Sequence, residues 1–166
     1  MKKTLYLKFL LAYVIFGIFG FIIISVFVPK LTVEQLTREK ANTLYSEATL
    51  IADRYGSGLY TSDTSLESVK NQLDALSVYL DSDIWIINPS GRMVLTTEYP
   101  LNVDEVVIIE NFDPTLTANS YYNVSNFFDY YDEAMLNVIA PITTNYKVNG
   151  YVVIHASMAS VYESSN

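Results

Sequence analysis

Asp83-Ile-Trp-Ile-Ile-Asn-Pro-Ser-Gly-Arg-Met-Val-Leu-Thr-Thr97 is the stretch on which the fold turns. Two runs rich in β-branched and aromatic residues flank Asn88-Pro-Ser-Gly91, where the proline presets φ and the glycine accepts a positive φ. The pattern predicts a β-hairpin. Just upstream, Leu66, Val69, Leu73, Leu76 and Leu80 recur at three- and four-residue spacing, the apolar stripe of a core helix, and Thr64 and Glu67 are spaced as its capping box. Further upstream a long helix is expected from Pro29 to about Tyr55, with Leu44, Ala48, Ile51 and Tyr55 on one face and Gly56-Ser-Gly58 ending it.

Beyond the hairpin, Val103 to Phe112 reads equally as a short helix or an irregular crossing, and Asp113-Pro114 starts a turn. Tyr121 to Phe128, Glu133 to Ile142 and Tyr151 to Met158 read as three further strands, with a turn over Asn145 to Gly150. The order predicts an α+β domain: a mostly antiparallel five-stranded sheet packed on N-terminal helices. In the last strand Val152, Ile154, Ala156 and Met158 point one way and should pack on the helices. Tyr151, Val153, His155 and Ser157 point the other way, toward a side covered only by the crossing segment, where a cavity is expected to open.

Before this domain, Phe9 to Val28 is an uncharged apolar run of about 20 residues, long enough as a helix to cross the hydrocarbon of a bilayer. A cleaved signal peptide has a shorter apolar core and a small-residue cleavage site, whereas this run ends Val26-Phe27-Val28-Pro29-Lys30, so an uncleaved anchor in contact with membrane lipid is expected. Basic residues flank both sides. The tail holding Lys2, Lys3 and Lys8 is purely basic, while Glu34, Glu39 and Glu47 dilute the charge beyond the span, which favours a cytoplasmic N-terminus and an extracytoplasmic domain. The expected organisation is a tail over 1–8, a transmembrane helix over 9–28, a domain over 29–158 and an approach to a second span over 159–166. Only Pro29 separates the span from the long helix, which is either one nearly continuous rod able to carry displacement through the bilayer or a plain stalk.

All 18 acidic residues follow Lys30, against 6 basic ones, so the domain carries a formal charge of −12. Such a charge repels phosphate backbones and argues against nucleic acid as a partner. The chain has no cysteine, which excludes disulfides, thiolate metal sites and a cysteine nucleophile.

Little in the sequence suggests catalysis. The single histidine, His155, lies in an apolar strand, and no serine has a Gly-x-Ser-x-Gly context. No glycine-rich phosphate loop is present, and nothing calls for a cofactor. Asp81 and Asp83, like Asp132 and Glu133, lack calcium-loop spacing, and Asp-x-Asp at a strand start reads as a solvated turn, so no metal site is expected. The candidate ligand-binding residues are Tyr121, from an aromatic segment that includes Tyr122, Phe127, Phe128, Tyr130 and Tyr131, together with His155 and Arg92. Arg92 sits where it would grip a carboxylate, although an exposed turn arginine reads the same way. His155 is either a pH-sensing imidazole or a satisfied core histidine.

The order of elements resembles the extracytoplasmic PAS-like sensor domains, also called single Cache or PDC domains, of bacterial sensor histidine kinases. The resemblance rests on Asp83-Ile-Trp-Ile-Ile-Asn-Pro-Ser-Gly-Arg-Met-Val94, on Met135-Leu-Asn-Val-Ile-Ala-Pro-Ile142 and on Gly150-Tyr-Val-Val-Ile-His155, all fold signatures rather than catalytic motifs. It covers nearly the whole chain. It implies a non-enzymatic input module, working as a homodimer and receiving a small-molecule or protein signal. It also implies that the chain is the N-terminal part of a longer receptor, which reaches a response regulator only through a kinase beyond a second span. The alternatives are a pilin-like or other membrane-anchored structural subunit, or the sensor of a chemoreceptor or cyclic-dinucleotide enzyme. Pilins carry a processing glycine before the apolar run and an acidic residue near its start, whereas here Lys8 leads straight into Phe9.

Overall fold

A computed structural model describes residues 2–56, 58–59, 65–101, 104–117 and 120–163. It divides into two units, Met1–Leu36 and Thr37–Asn166. The described part of the first unit belongs wholly to helix α1 (Lys2–Ile51). Its most apolar 18-residue window has a mean hydropathy of 2.7 and no buried residue, so the helix is long and apolar enough to cross a membrane. Pro29 lies inside α1, where it leaves the Ser25 carbonyl without its usual i+4 donor, a defect that membrane helices tolerate.

Within the second unit, α1 buries Thr37, Ala41, Leu44, Ala48 and Ile51, a stripe of alternating four- and three-residue steps. The expected stripe is therefore present through Ile51. A π-helical turn, Ala52–Gly56, then closes the element and leaves Tyr55 half-buried. Gly56 is required by close approach, because a Cβ there would stand 2.8 Å from Ile142 Cδ1.

Helix α2 (Leu66–Leu80) is capped by Ser65, whose hydroxyl accepts the Ser68 N–H, so the cap is one residue later than the predicted box; Thr64 lies outside the described residues. Asp81 closes α2 in the left-handed conformation, its N–H reaching Ser77 O and Val78 O. Val69, Leu73 and Leu80 are buried, Leu66 and Leu76 half-buried. Lys70 is buried along its stem, with Nζ 2.6 Å from Asp74 Oδ1.

The five strands are β1 (Asp83–Ile87), β2 (Met93–Thr96), β3 (Tyr122–Ser125), β4 (Met135–Thr144) and β5 (Lys147–Ser157). They pair in the order β2-β1-β5-β4-β3, every pair antiparallel. The β1–β2 hairpin turns where the sequence places it, with Gly91 at φ 90° and its N–H on Asn88 O. The crossing segment is irregular rather than helical over its described residues. It is stitched to the hairpin by Met93 N to Val107 O and Ile109 N to Gly91 O.

Three boundaries depart from expectation. Strand β3 stops at Ser125 because Phe127, Phe128 and Asp129 take positive φ and turn the chain back. The β4–β5 turn narrows to Asn145-Tyr146, both left-handed, so β5 takes Lys147 to Gly150 from the predicted six-residue turn and β4 runs on to Thr144. Finally, β5 ends at Ser157, and Met158 opens the short helix α3 (Met158–Glu163).

The register gives the sheet two faces. Ile84, Ile86, Val152, Ile154, Ala156 and Ile142 lie on the face met by α2, the π turn and α3, all fully buried. Trp85, Ile87, Val153, Ile139 and Phe127 form a second buried cluster on the opposite face, under the crossing segment.

Candidate functional site

The second face, where sequence suggested a cavity, is instead filled by side chains. Trp85 and His155 are fully buried, with ring centroids 4.3 Å apart, and the Phe127 ring meets both, at 5.4 and 4.6 Å. Tyr130 stands edge-on to Trp85 at 4.6 Å and Tyr131 stacks at 6.0 Å. These contacts are the favoured arrangements of aromatic quadrupoles, and they seal the face against water. Beside the cluster opens a cleft of about 480 Å³ lined by Tyr99, Pro100, Leu101, Glu105, Val107 and Tyr130.

The turn that supplies these rings is built by its own sequence. Asn126 Nδ2 donates to Asp129 Oδ1 at 2.8 Å, while Tyr130 N and Tyr131 N close onto Phe127 O and Asn126 O. Asn and Asp tolerate the left-handed region, but Phe127 (φ 48°) and Phe128 (φ 53°) do so at a cost of about 1–2 kcal/mol each. Burial of their rings offsets that cost.

Beneath the rings runs a buried polar line. Asn137 Nδ2 donates to Asn123 Oδ1 at 2.9 Å and to Ser125 O at 3.1 Å, so Asn137 Oδ1 is the acceptor for His155 Nδ1–H at 2.6 Å. His155 is therefore the Nδ1–H tautomer. Burial pushes its imidazole down to about 3, so the ring is neutral and Nε2 carries a bare lone pair. Neither that Nε2 nor Trp85 Nε1 finds a hydrogen-bond partner among the described residues.

At the hairpin edge of the same face is an acid–phenol cluster. Asp83 pairs across the strands with His155 on one side. On the other side, Ile84 and Thr97 are cross-bonded, which sets Glu98 opposite Asp83. Both Glu98 oxygens accept phenol hydrogens, Oε2 from Tyr130 at 2.7 Å and Oε1 from Tyr131 at 2.5 Å. Burial first, then the charge of Glu98 and a hydrogen bond with it, raise the Asp83 carboxyl to about 6. Burial and the Glu98 carboxylate likewise raise both phenols well above their ordinary range.

The three residues singled out from sequence do not converge. His155 is inside the sealed cluster; Arg92 is exposed on the hairpin, bridged to Ile108; the Tyr121 ring packs on Tyr45 of α1 at 4.7 Å. Asp83, read from sequence as part of a solvated turn with Asp81, is half-buried against Glu98 because it shares the inward parity of Trp85. Glu98 and Asn137 were not singled out, although each falls on an inward position once the register is known. Among the described residues no three His, Asp or Glu side chains gather to hold a metal ion.

No protein-family model and no curated protein matches the chain. Solved structures do. The sensor domain of the Vibrio cholerae histidine kinase DctB superposes with a TM-score of 0.53 at 14% identity, over 81% of this chain and 56% of that one. A domain assigned to the sensory box/GGDEF family in Vibrio parahaemolyticus gives 0.53 at 14%, over 76% and 59%. The extracellular domain of vpHK1S-Z8, assigned as a histidine kinase, gives 0.53 at 15%, over 83% and 61%. The chain thus has the fold of these sensor domains and spans 56 to 61% of their length.

Proposed function

We propose, from the sensor-domain fold, that the chain is the extracytoplasmic signal-sensing input module of a membrane sensor histidine kinase. The observation that carries this reading is the superposition of this α+β fold on the DctB and vpHK1S-Z8 domains, each with a TM-score of 0.53. The apolar part of α1 supports a membrane anchor, and the purely basic tail with Lys2, Lys3 and Lys8 supports a tail inside and a domain outside. A pilin-like subunit gains no support from this architecture. The chain itself does no chemistry; the phosphorylating part lies beyond it.

In this reading a signal changes the aromatic face, and the change reaches α1 through β3. The Tyr45–Tyr121 ring contact joins α1 to the residue before β3, and the left-handed turn follows β3 directly. A ligand would bias the signalling state only through its difference in affinity for the two arrangements. His155 would meet a ligand only after the Phe127–Tyr131 turn moves aside, whereas Arg92 and Tyr121 offer outer contacts. A homodimer along α1 completes the proposal, as does a response regulator served by the kinase part.

The coding frame past Asn166 tests this directly. It should encode a second apolar stretch of about 20 residues and then a helical, histidine-bearing phosphoacceptor segment. A methyl-accepting helical domain or a cyclic-dinucleotide synthase in that place would replace the kinase by the corresponding alternative, and a stop codon would overturn the reading.

A further inference from the structure

The acid–phenol cluster has an atomic arrangement that requires one proton in one place. Asp83 and Glu98 stand opposite each other across the β1–β2 pair, which without a shared proton would set two negative charges side by side. Both Glu98 oxygens are already taken as acceptors by Tyr130 and Tyr131. The proton therefore sits on Asp83, which donates to Glu98. We propose that the Asp83–Glu98 pair is a proton-operated latch: protonated Asp83 holds Glu98, and through Tyr130 and Tyr131 the 126–131 turn, over Trp85, and loss of that proton releases the turn.

Among the described residues around the pair, Asp81, Lys70, His155, Glu105 and Asp129 are acidic, neutral or already engaged. From α2, the cap residue Asp81 adds negative charge beside Asp83, and Lys70, which lines the same groove as Glu98, is engaged by Asp74 at 2.6 Å. From β5, His155 is neutral and its Nδ1–H is used by Asn137. From the residues after β2, Glu98 acts on Tyr99, which Glu105 also faces, so the charges acting there are acidic. Within the turn, Asp129 is occupied by Asn126. Release is favoured by the turn's own backbone, since Phe127, Phe128 and Asp129 hold positive φ only while their neighbours are packed.

The direction follows from linkage. The folded-state value of about 6 lies above the ordinary 3.8, so the latch is fully held below about 4 and is lost as pH rises through about 6. The latch concerns the chain alone; that it regulates signalling rests on the input-module reading.

Trp85 is the only tryptophan in the chain and lies under the latch, so it reports on the turn without a label. Acrylamide quenching of the whole chain in detergent micelles should rise about twofold from about pH 5 to about pH 7.5, with a midpoint near 6. Asp83→Asn, whose amide donates to Glu98 at every pH, should stay at the low value throughout. The double variant Tyr130→Phe/Tyr131→Phe should be quenched strongly at both ends. If Asp83→Asn fails to fold by far-UV circular dichroism, Asp83→Thr serves instead, because its hydroxyl donates to Glu98 without titrating and leaves both Glu98 oxygens in place; it too should be flat. A flat wild-type profile, or a substituted chain that titrates like wild type, overturns the latch. Either result leaves the input-module reading standing, which only the frame beyond Asn166 decides.

Discussion

Asn137 carries more of the aromatic face than its size suggests. Fully buried, it feeds His155 through Oδ1 and anchors β3 through Nδ2, so its replacement orphans groups on two neighbouring strands. Asn137→Leu should cost about 1–3 kcal/mol in guanidinium unfolding, the penalty of buried donors and acceptors left unpaired. A loss within experimental error would show that the line is ornamental. His155 and Asp83 act oppositely toward acid. The depressed value of His155 means stability present above about 6.5 and lost as pH falls toward about 3, while the raised value of Asp83 adds stability in much of the same window. Asp83→Asn removes the compensating half, so its melting temperature should fall more steeply than wild type between about pH 7 and about pH 4. Parallel curves would contradict the assignment. His155 was visible in the sequence as the sole histidine, but its neutrality was not, because burial and the contact with Asn137, 18 residues away, arise only when β4 and β5 come into register. Glu98 was hidden for the same reason: its phenol partners lie more than thirty positions away.

At the level of elements, two glycines separate backbone need from close packing. Gly91 has φ 90°, and a Cβ would stand 2.6 Å from the Ile109 carbonyl oxygen, so Gly91→Ala should cost at least about 2 kcal/mol. Gly56 has no such φ and would press only on the Ile142 side chain, so Gly56→Ala should cost about 1 kcal/mol. Thermal unfolding of the two variants in the same micelles checks the order, and a reversal would contradict the hairpin geometry. The hairpin, α2 and the sheet strands were legible because their periodicity is local and repeats. What was not legible is where a strand stops for reasons outside itself. Tyr121 to Phe128 has strand composition throughout, yet Phe127 and Phe128 leave the strand, Phe127 to pack its ring on Trp85 and His155 and Phe128 to pack on Phe112 and Phe127. The Asn145-Tyr146 turn was blurred for a simpler reason, as Lys147 to Gly150 carries no strong strand signal of its own.

At the scale of the whole molecule, the proposed input module comprises an apolar helix and an acidic domain with the sensor fold and a sealed aromatic face. The long apolar helix and the α+β class were legible from hydropathy and element order; orientation has the least support in the sequence, since basic residues flank both sides of the apolar run. The chain has no cysteine, so one introduced thiol reports location unambiguously. Tyr79 on α2 is 84% exposed, and Tyr79→Cys leaves the buried stripe intact. Treating intact cells that express this variant with a membrane-impermeant maleimide is the most direct test. The account predicts full labelling without permeabilisation, and labelling that appears only after the membrane is opened would contradict it.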